Sequence, residues 1–156
     1  MKLSVGLHGL NPALDILRLL PIELQSKVVP QVLRAGARFA LRKVKRKAPK
    51  RTGGLQSSFE VKRTSRRRND PRISLLTRKP YAHLIEGGTA DRQTKKGYYR
   101  GRLLPNPFFS DAIRENRTGI NQAMLRTGLR RTKSVLERFA SGKLNRGDRR
   151  ALNLRF

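Results

Sequence analysis

The chain of 156 residues carries 37 Lys and Arg against 10 Asp and Glu, a formal net charge of +27, with two His and no Cys. Its length suits one domain that buries roughly 70% of the surface its unfolded chain exposes. The lack of Cys excludes disulfides and thiolate metal sites, His8 and His83 lie too far apart in sequence for a His-rich metal site, and no stretch approaches the ~20 apolar residues of a membrane span. No cofactor, metal or membrane partner is therefore expected, and the charge favours polyanions or acidic protein surfaces as partners.

Met1 to Leu20 is partly apolar, but Asn11-Pro12, Asp15 and Arg18 interrupt any signal-peptide core. Asn11-Pro12 instead opens a short helix over about 12–20, with Leu14, Leu17 and Leu20 on one face. A long amphipathic helix follows over about 22–47. Val29, Val32, Leu33, Gly36, Ala37, Phe39, Ala40 and Val44 recur at spacings of three and four between Arg34, Arg38, Arg42 and Lys43 to Lys47. Pro30 requires either a start near Val29 or a kink. The small residues Ala35 to Ala37 permit close approach of another backbone, and the cationic last turn suits the negative end of the helix dipole or a DNA-facing role.

Pro49 ends that helix and Thr52-Gly53-Gly54 turns the chain. A sheet is expected over about 55–86. Leu55 to Arg63, with Leu55, Ser57, Phe59 and Val61 on one face, pairs as a hairpin with Ile73 to Thr77, and a third strand, Tyr81 to Glu86, ends in the Gly87-Gly88 turn. The hairpin tip holds Arg66, Arg67, Arg68 and Arg72, placed either for phosphate contact or as a solvated turn. Glu86 is expected to cap or clamp the Gly-Gly turn or to pair with an Arg. Neither a second carboxylate nor a nucleophile accompanies His83 and Glu86, so no catalytic role is expected and the protein is not expected to be an enzyme.

Arg92, Lys95, Lys96, Arg100 and Arg102 are interleaved with Tyr98 and Tyr99. The segment fits single-stranded nucleic acid or the surface of a neighbouring subunit. Asn106-Pro107 repeats the earlier helix-start signal, and Phe108, Phe109, Ala112 and Ile113 begin a helical segment over about 107–140, with a break expected at Thr118-Gly119 and a soft point at Gly128. Residues 143–156, with Arg149 and Arg150, form a basic tail. The fold class is α+β: a long N-terminal helix packed on a small antiparallel sheet, then a C-terminal helical segment and the tail, with residues 1–142 as one domain.

Three marks occur in order: Pro49, Thr52, Gly53 and Leu55; then Tyr81, Ala82, Glu86, Gly88 and Thr89; then Pro107, Phe108 and Ala112. The ordered set resembles the tail-completion (neck, minor tail) proteins of tailed bacteriophages over roughly residues 20 to 140. That resemblance implies a structural virion protein, assembled in the host cytoplasm, which forms a homo-oligomeric ring joining the tail to the head connector around the DNA channel. The partners implied are other copies of the chain, the head connector, the tail terminator or tail tube, and DNA contacted without regard to sequence. An alternative is a non-sequence-specific nucleic-acid-binding protein of nucleoid or ribosomal type. The ten carboxylates are scattered, which ranks a metal-dependent hydrolase or nuclease last.

Overall fold

The computed structural model describes residues 22–65 and 71–141. The expected helix over 12–20, the hairpin tip Arg66 to Arg68, and the tail with Arg149 and Arg150 lie outside the described residues.

The fold is built on α1 (Ile22–Lys47), the long helix expected from the sequence. Val28, Val32, Gly36, Ala40 and Val44, continued by Ala48, are buried at every fourth position. Arg34, Arg38, Arg42 and Arg46 keep the same interval two residues out of phase and are exposed. At 3.6 residues per turn a spacing of four drifts by about 40° per step, so each file winds slowly around α1 as an inclined ridge, one apolar and one of arginine. Pro30 lies inside α1, and the helix begins at Ile22 rather than Val29.

The segment after Pro49 departs from expectation. Leu55 to Ser58 belong to a short helix, α2 (Gly54–Ser58), and β1 (Phe59–Arg63) begins only at Phe59. Gly53, with φ 69°, redirects the chain, and the helical turn brings Leu55 and Phe59, four apart, into the core together. β1 pairs antiparallel with β2 (Ile73–Thr77), with Val61 opposite Leu75 and Phe59 opposite Thr77. The expected hairpin is therefore present. A two-stranded sheet is marginal alone, and here both strands pack on α1.

The expected third strand is a helix, α3 (Ala82–Gly87). Backbone bonds from Leu84 N and Ile85 N to Tyr81 O close its first turn at 3.1 and 3.2 Å. Tyr81 and Ile85 favour strands, but Ala82, Ile85 and Glu86 fall at helical spacing and face the core and the next helix. Burial at this spacing overrides intrinsic β preference. The sheet therefore has two strands among the described residues and ends at Thr77.

The C-terminal half is two helices, α4 (Phe108–Glu115) and α5 (Arg117–Ala140). The break falls at Asn116; Thr118 and Gly119 lie within α5, as does Gly128, which is buried. Asn116 Nδ2 donates to Ala112 O at 2.9 Å, closing the end of α4 with a side chain.

Two apolar clusters share α1. Its C-terminal half packs Val44 and Ala48 with Leu55, Phe59, Ala82, Phe108, Phe109 and Ala112. Phe59 meets Phe108 edge-on at 6.0 Å and stacks on Phe109 at 6.1 Å. Val28 and Val32 of its N-terminal half, with Ala40, pack on Ile120 and Met124 of α5, and Leu75 and Ile113 touch both clusters. Gly36 lies against Met124 and Gly119 against Phe39, so α1 and α5 cross antiparallel at close range. A Cβ on Gly36 would stand 2.6 Å from Met124 Cγ, and one on Gly119 2.7 Å from Phe39 Cζ.

Candidate functional site

The second and third sequence marks meet at one place. Glu86, on the last turn of α3, accepts the Phe109 N–H through Oε2 and the Ser110 N–H through Oε1, both at 2.9 Å. These are donors of the first turn of α4, which have no partner within the helix. Pro107 occupies the cap position and offers no side-chain cap. Glu86 therefore caps α4 from 23 residues upstream rather than clamping the Gly-Gly turn or pairing with an arginine, and its negative charge sits at the positive end of the α4 dipole. Asn106, the expected cap, instead uses its backbone, with Asn106 N donating to Ile85 O at 2.9 Å.

Gly88 and Thr89 complete the junction. Gly88 has φ 73°, and a Cβ there would lie 2.8 Å from Leu103 O and 2.9 Å from Pro105 N, so only glycine fits against the returning chain. Thr89 pairs twice with Leu103: its N–H donates to Leu103 O, and its Oγ1 accepts Leu103 N–H, both at 2.9 Å. The Glu-x-Gly-Thr mark is thus a clamp holding α3, α4 and the ends of the intervening segment.

That segment, 89–103, is a hairpin arm. Gln93 bridges Tyr99, Thr94 N donates to Tyr98 O at 2.9 Å, and Tyr99 Oη donates to Asp91 Oδ1 at 2.9 Å. Arg92, Lys95, Lys96, Arg100 and Arg102 all lie on it and are exposed. Tyr98, Tyr99 and Leu104 are 70%, 65% and 66% exposed. Arg72 is apart from them at the far end of β2, where its carbonyl accepts Thr64 N–H at 2.9 Å.

In the first mark, Thr52 Oγ1 accepts Gly54 N–H at 3.4 Å, Gly53 turns the chain and Leu55 is buried. Sequence reasoning missed Gln56, whose Nε2 donates to Lys45 O at 2.7 Å and Ala48 O at 3.1 Å, serving the last carbonyls of α1. Its only signal was a polar side chain one turn beyond a helix-ending proline. Reasoning from sequence also missed a cleft of about 760 Å³ between α1 and α5, rimmed by Arg38 and Arg42 on one helix and Arg126 and Arg130 on the other. The interval of four within each pair was legible, but their opposition required the helix crossing.

His83 lies on α3 rather than a strand, and its Nδ1 has no hydrogen-bond partner among the described residues. With Glu86 occupied by α4, the two do not form an acid–base pair. Among the described residues no group of three His, Cys, Asp or Glu could hold a metal ion, and no helix is long and apolar enough to cross a membrane.

Among the described residues the helix–hairpin–helix frame projects an arm and holds no clustered carboxylates. Residues 21–88 match the HK97-gp10-like family, described as "Bacteriophage HK97-gp10, putative tail-component". The match spans α1, α2, the hairpin and α3, and the description is of the class that the ordered marks resemble. The matched span contains the first mark and the second as far as Gly88; Thr89 and the Pro107-Phe108 mark lie beyond it. No curated protein and no solved structure matches the chain.

Proposed function

We propose that the protein is a structural component of a phage virion, a tail-completion or neck protein whose copies form a ring joining the tail to the head connector around the DNA channel. The observation that carries this reading is the arm. Residues 89–103 are clamped rigidly at their base, yet present Tyr98, Tyr99 and the adjoining Leu104 to solvent, with no part of the described chain covering them. Exposed aromatic and aliphatic side chains on a fixed projection suit burial against another subunit. In a closed ring that contact is heterologous, the arm of one copy meeting a different surface of the next. The basic tail and the tip of the β1–β2 hairpin extend the same scheme towards the connector, the tail terminator or the tail tube.

The test pairs solution mass with assembly. Light scattering on the purified protein at moderate and high salt, with and without a short DNA duplex, is compared with complementation of a phage lacking the gene. A salt-resistant ring, or a monomer that enters particles only with its virion partners, is the expected result. Replacing Tyr98, Tyr99 and Leu104 by serine should leave the monomer folded and abolish incorporation. Particles that form normally with this variant would overturn the arm's role. A monomer that does not complement, binds duplex tightly at low salt and releases it at high salt would favour the free nucleic-acid-binding alternative. Truncation after Gly142 should leave a folded protein that assembles poorly.

A further inference from the structure

We infer that the cleft between α1 and α5 is a binding site for the phosphate backbone of nucleic acid, gripped by Arg38 and Arg42 from one rim and Arg126 and Arg130 from the other. The inference deepens the reading of a ring around DNA by assigning the surface that meets the DNA, and its test does not require a ring.

Three observations support it. First, all four rim cations are arginines, exposed, at an interval of four on each helix, and none has an acidic partner among the described residues. The interval corresponds to about 6 Å of helix rise, so each rim is a short ladder of forked donors. Second, among the described residues no carboxylate lines the cleft, and its uncharged polar side chains are Gln122 and Thr127. Third, the floor is rigid: Phe39 is seated on Gly119 from one side, while Arg42 lies over its ring with its guanidinium carbon 5.5 Å from the centroid. That contact holds Arg42 beside the groove without neutralising it.

The regularity decides between polyanions. A protein segment with scattered carboxylates would call for charged and uncharged partners in an irregular pattern. A ladder of one residue type at one interval suits a polymer of evenly spaced charges, and duplex DNA carries one negative charge per ~1.7 Å of axis. A second copy of this chain, at +27, cannot supply the anion. The arginines sit on helix sides, contacting backbone rather than base edges, so the site reads no sequence.

The probe is a short fluorescent DNA duplex of arbitrary sequence, titrated into the full-length protein over a range of salt and followed by anisotropy. The variant R38Q/R42Q/R126Q/R130Q is compared with the charge-matched arm variant R92Q/K95Q/K96Q/R102Q, and circular dichroism confirms that both are folded. Each lost phosphate contact lowers the slope of log K against log salt by about 0.9, so the groove variant should have a slope shallower by about 3 to 4 and an affinity lower by roughly two to three orders of magnitude near physiological salt. The arm variant should lose much less. The lysine version R38K/R42K/R126K/R130K should keep most of the slope. Equal losses in the groove and arm variants would show diffuse attraction to a cationic surface and overturn the assignment. Unchanged DNA binding with failed particle assembly would assign the groove to an acidic protein and also overturn it. Failure of the wild-type protein to complement the phage would instead count against the virion reading, whatever the duplex titration gives.

Discussion

Replacing Glu86 by alanine tests whether the junction between α3, α4 and the arm is held by one carboxylate. The two N–H groups it serves differ in environment. Phe109 is 2% exposed, whereas Ser110 is exposed and water can replace its lost acceptor. The main cost is therefore one buried donor left without a partner, about 1–3 kcal/mol. Loss of a negative charge at the helix N-terminus adds about 0.3–1 kcal/mol. Glu86→Ala should thus lower stability by roughly 2–3 kcal/mol, which for a chain of this size corresponds to a fall in Tm of roughly 5–10 °C. Glu86→Gln keeps one oxygen that can serve Phe109 and loses the charge, so it should cost about 1 kcal/mol. Urea unfolding followed by circular dichroism, with the slope m checked for constancy, measures both. An alanine variant within about 0.5 kcal/mol of the parent, below the usual cost of losing a cap, would refute the capping role.

The remaining predictions concern the other close approaches and the acid limb. Gly36→Ala places a methyl group in the fully packed crossing against Met124 and should destabilise by about 1–2 kcal/mol despite the gain in helix propensity. Gly119→Ala would set a methyl group 2.7 Å from the Phe39 ring and should also destabilise by about 1–2 kcal/mol, as denaturant midpoints can check. Gly88→Ala combines a positive φ with backbone atoms that cannot retreat, and thermal melts should show a loss of at least about 2 kcal/mol; Gly53→Ala, with φ 69° and open space, should lose only about 1 kcal/mol. The hydrogen bond from Arg78, reinforced by its charge, lowers the pKa of the Glu60 carboxyl below its ordinary 4.5. The Glu60–Arg78 pair therefore contributes above that pH, and its contribution is lost as pH falls through the lowered value. Glu60→Gln should consequently reduce stability slightly at neutral pH and by nothing at strongly acid pH, as a pH series of urea midpoints can check.

The parts of the fold legible in the sequence were those in which a single period determined burial. The recurrence of Val29, Val32, Leu33, Gly36, Ala37, Phe39, Ala40 and Val44 at spacings of three and four defined α1, and the alternation of Phe59, Val61 and Leu75 marked the hairpin. Tyr81 to Glu86 misled because six residues fit either period, and the deciding partner, the first turn of α4, lies 23 residues away. The cap of α4 was illegible for the same reason. Asn106-Pro107 has the local form of a helix start, but the acceptor came from another element. The break at Asn116 rather than at Thr118-Gly119 follows from packing, since Gly119 is needed inside α5 where Phe39 presses on it. The cationic residues of the arm were visible as a cluster in the chain, whereas the arginine groove came into being only when α5 crossed α1.

The distribution of charge constrains what such a protein can assemble with. Six carboxylates have partners within the chain: Glu60 with Arg78, Glu86 with two α4 N–H groups, Asp91 with Tyr99, Asp111 with Arg114 and Lys47, Glu115 with Lys47, and Glu137 with Lys133. The negative charge is used locally, and the surplus of arginine and lysine faces outward. Copies brought together through the described surfaces cannot neutralise one another, so any contact between them must rest on apolar and backbone groups such as those the arm exposes. Raising the salt shortens the range of the remaining repulsion from about 10 Å at 0.1 M to about 3 Å at 1 M and should favour self-association, whereas binding to nucleic acid should weaken over the same range. Opposite responses to one variable follow if the apolar arm joins copies and the arginine groove holds phosphate.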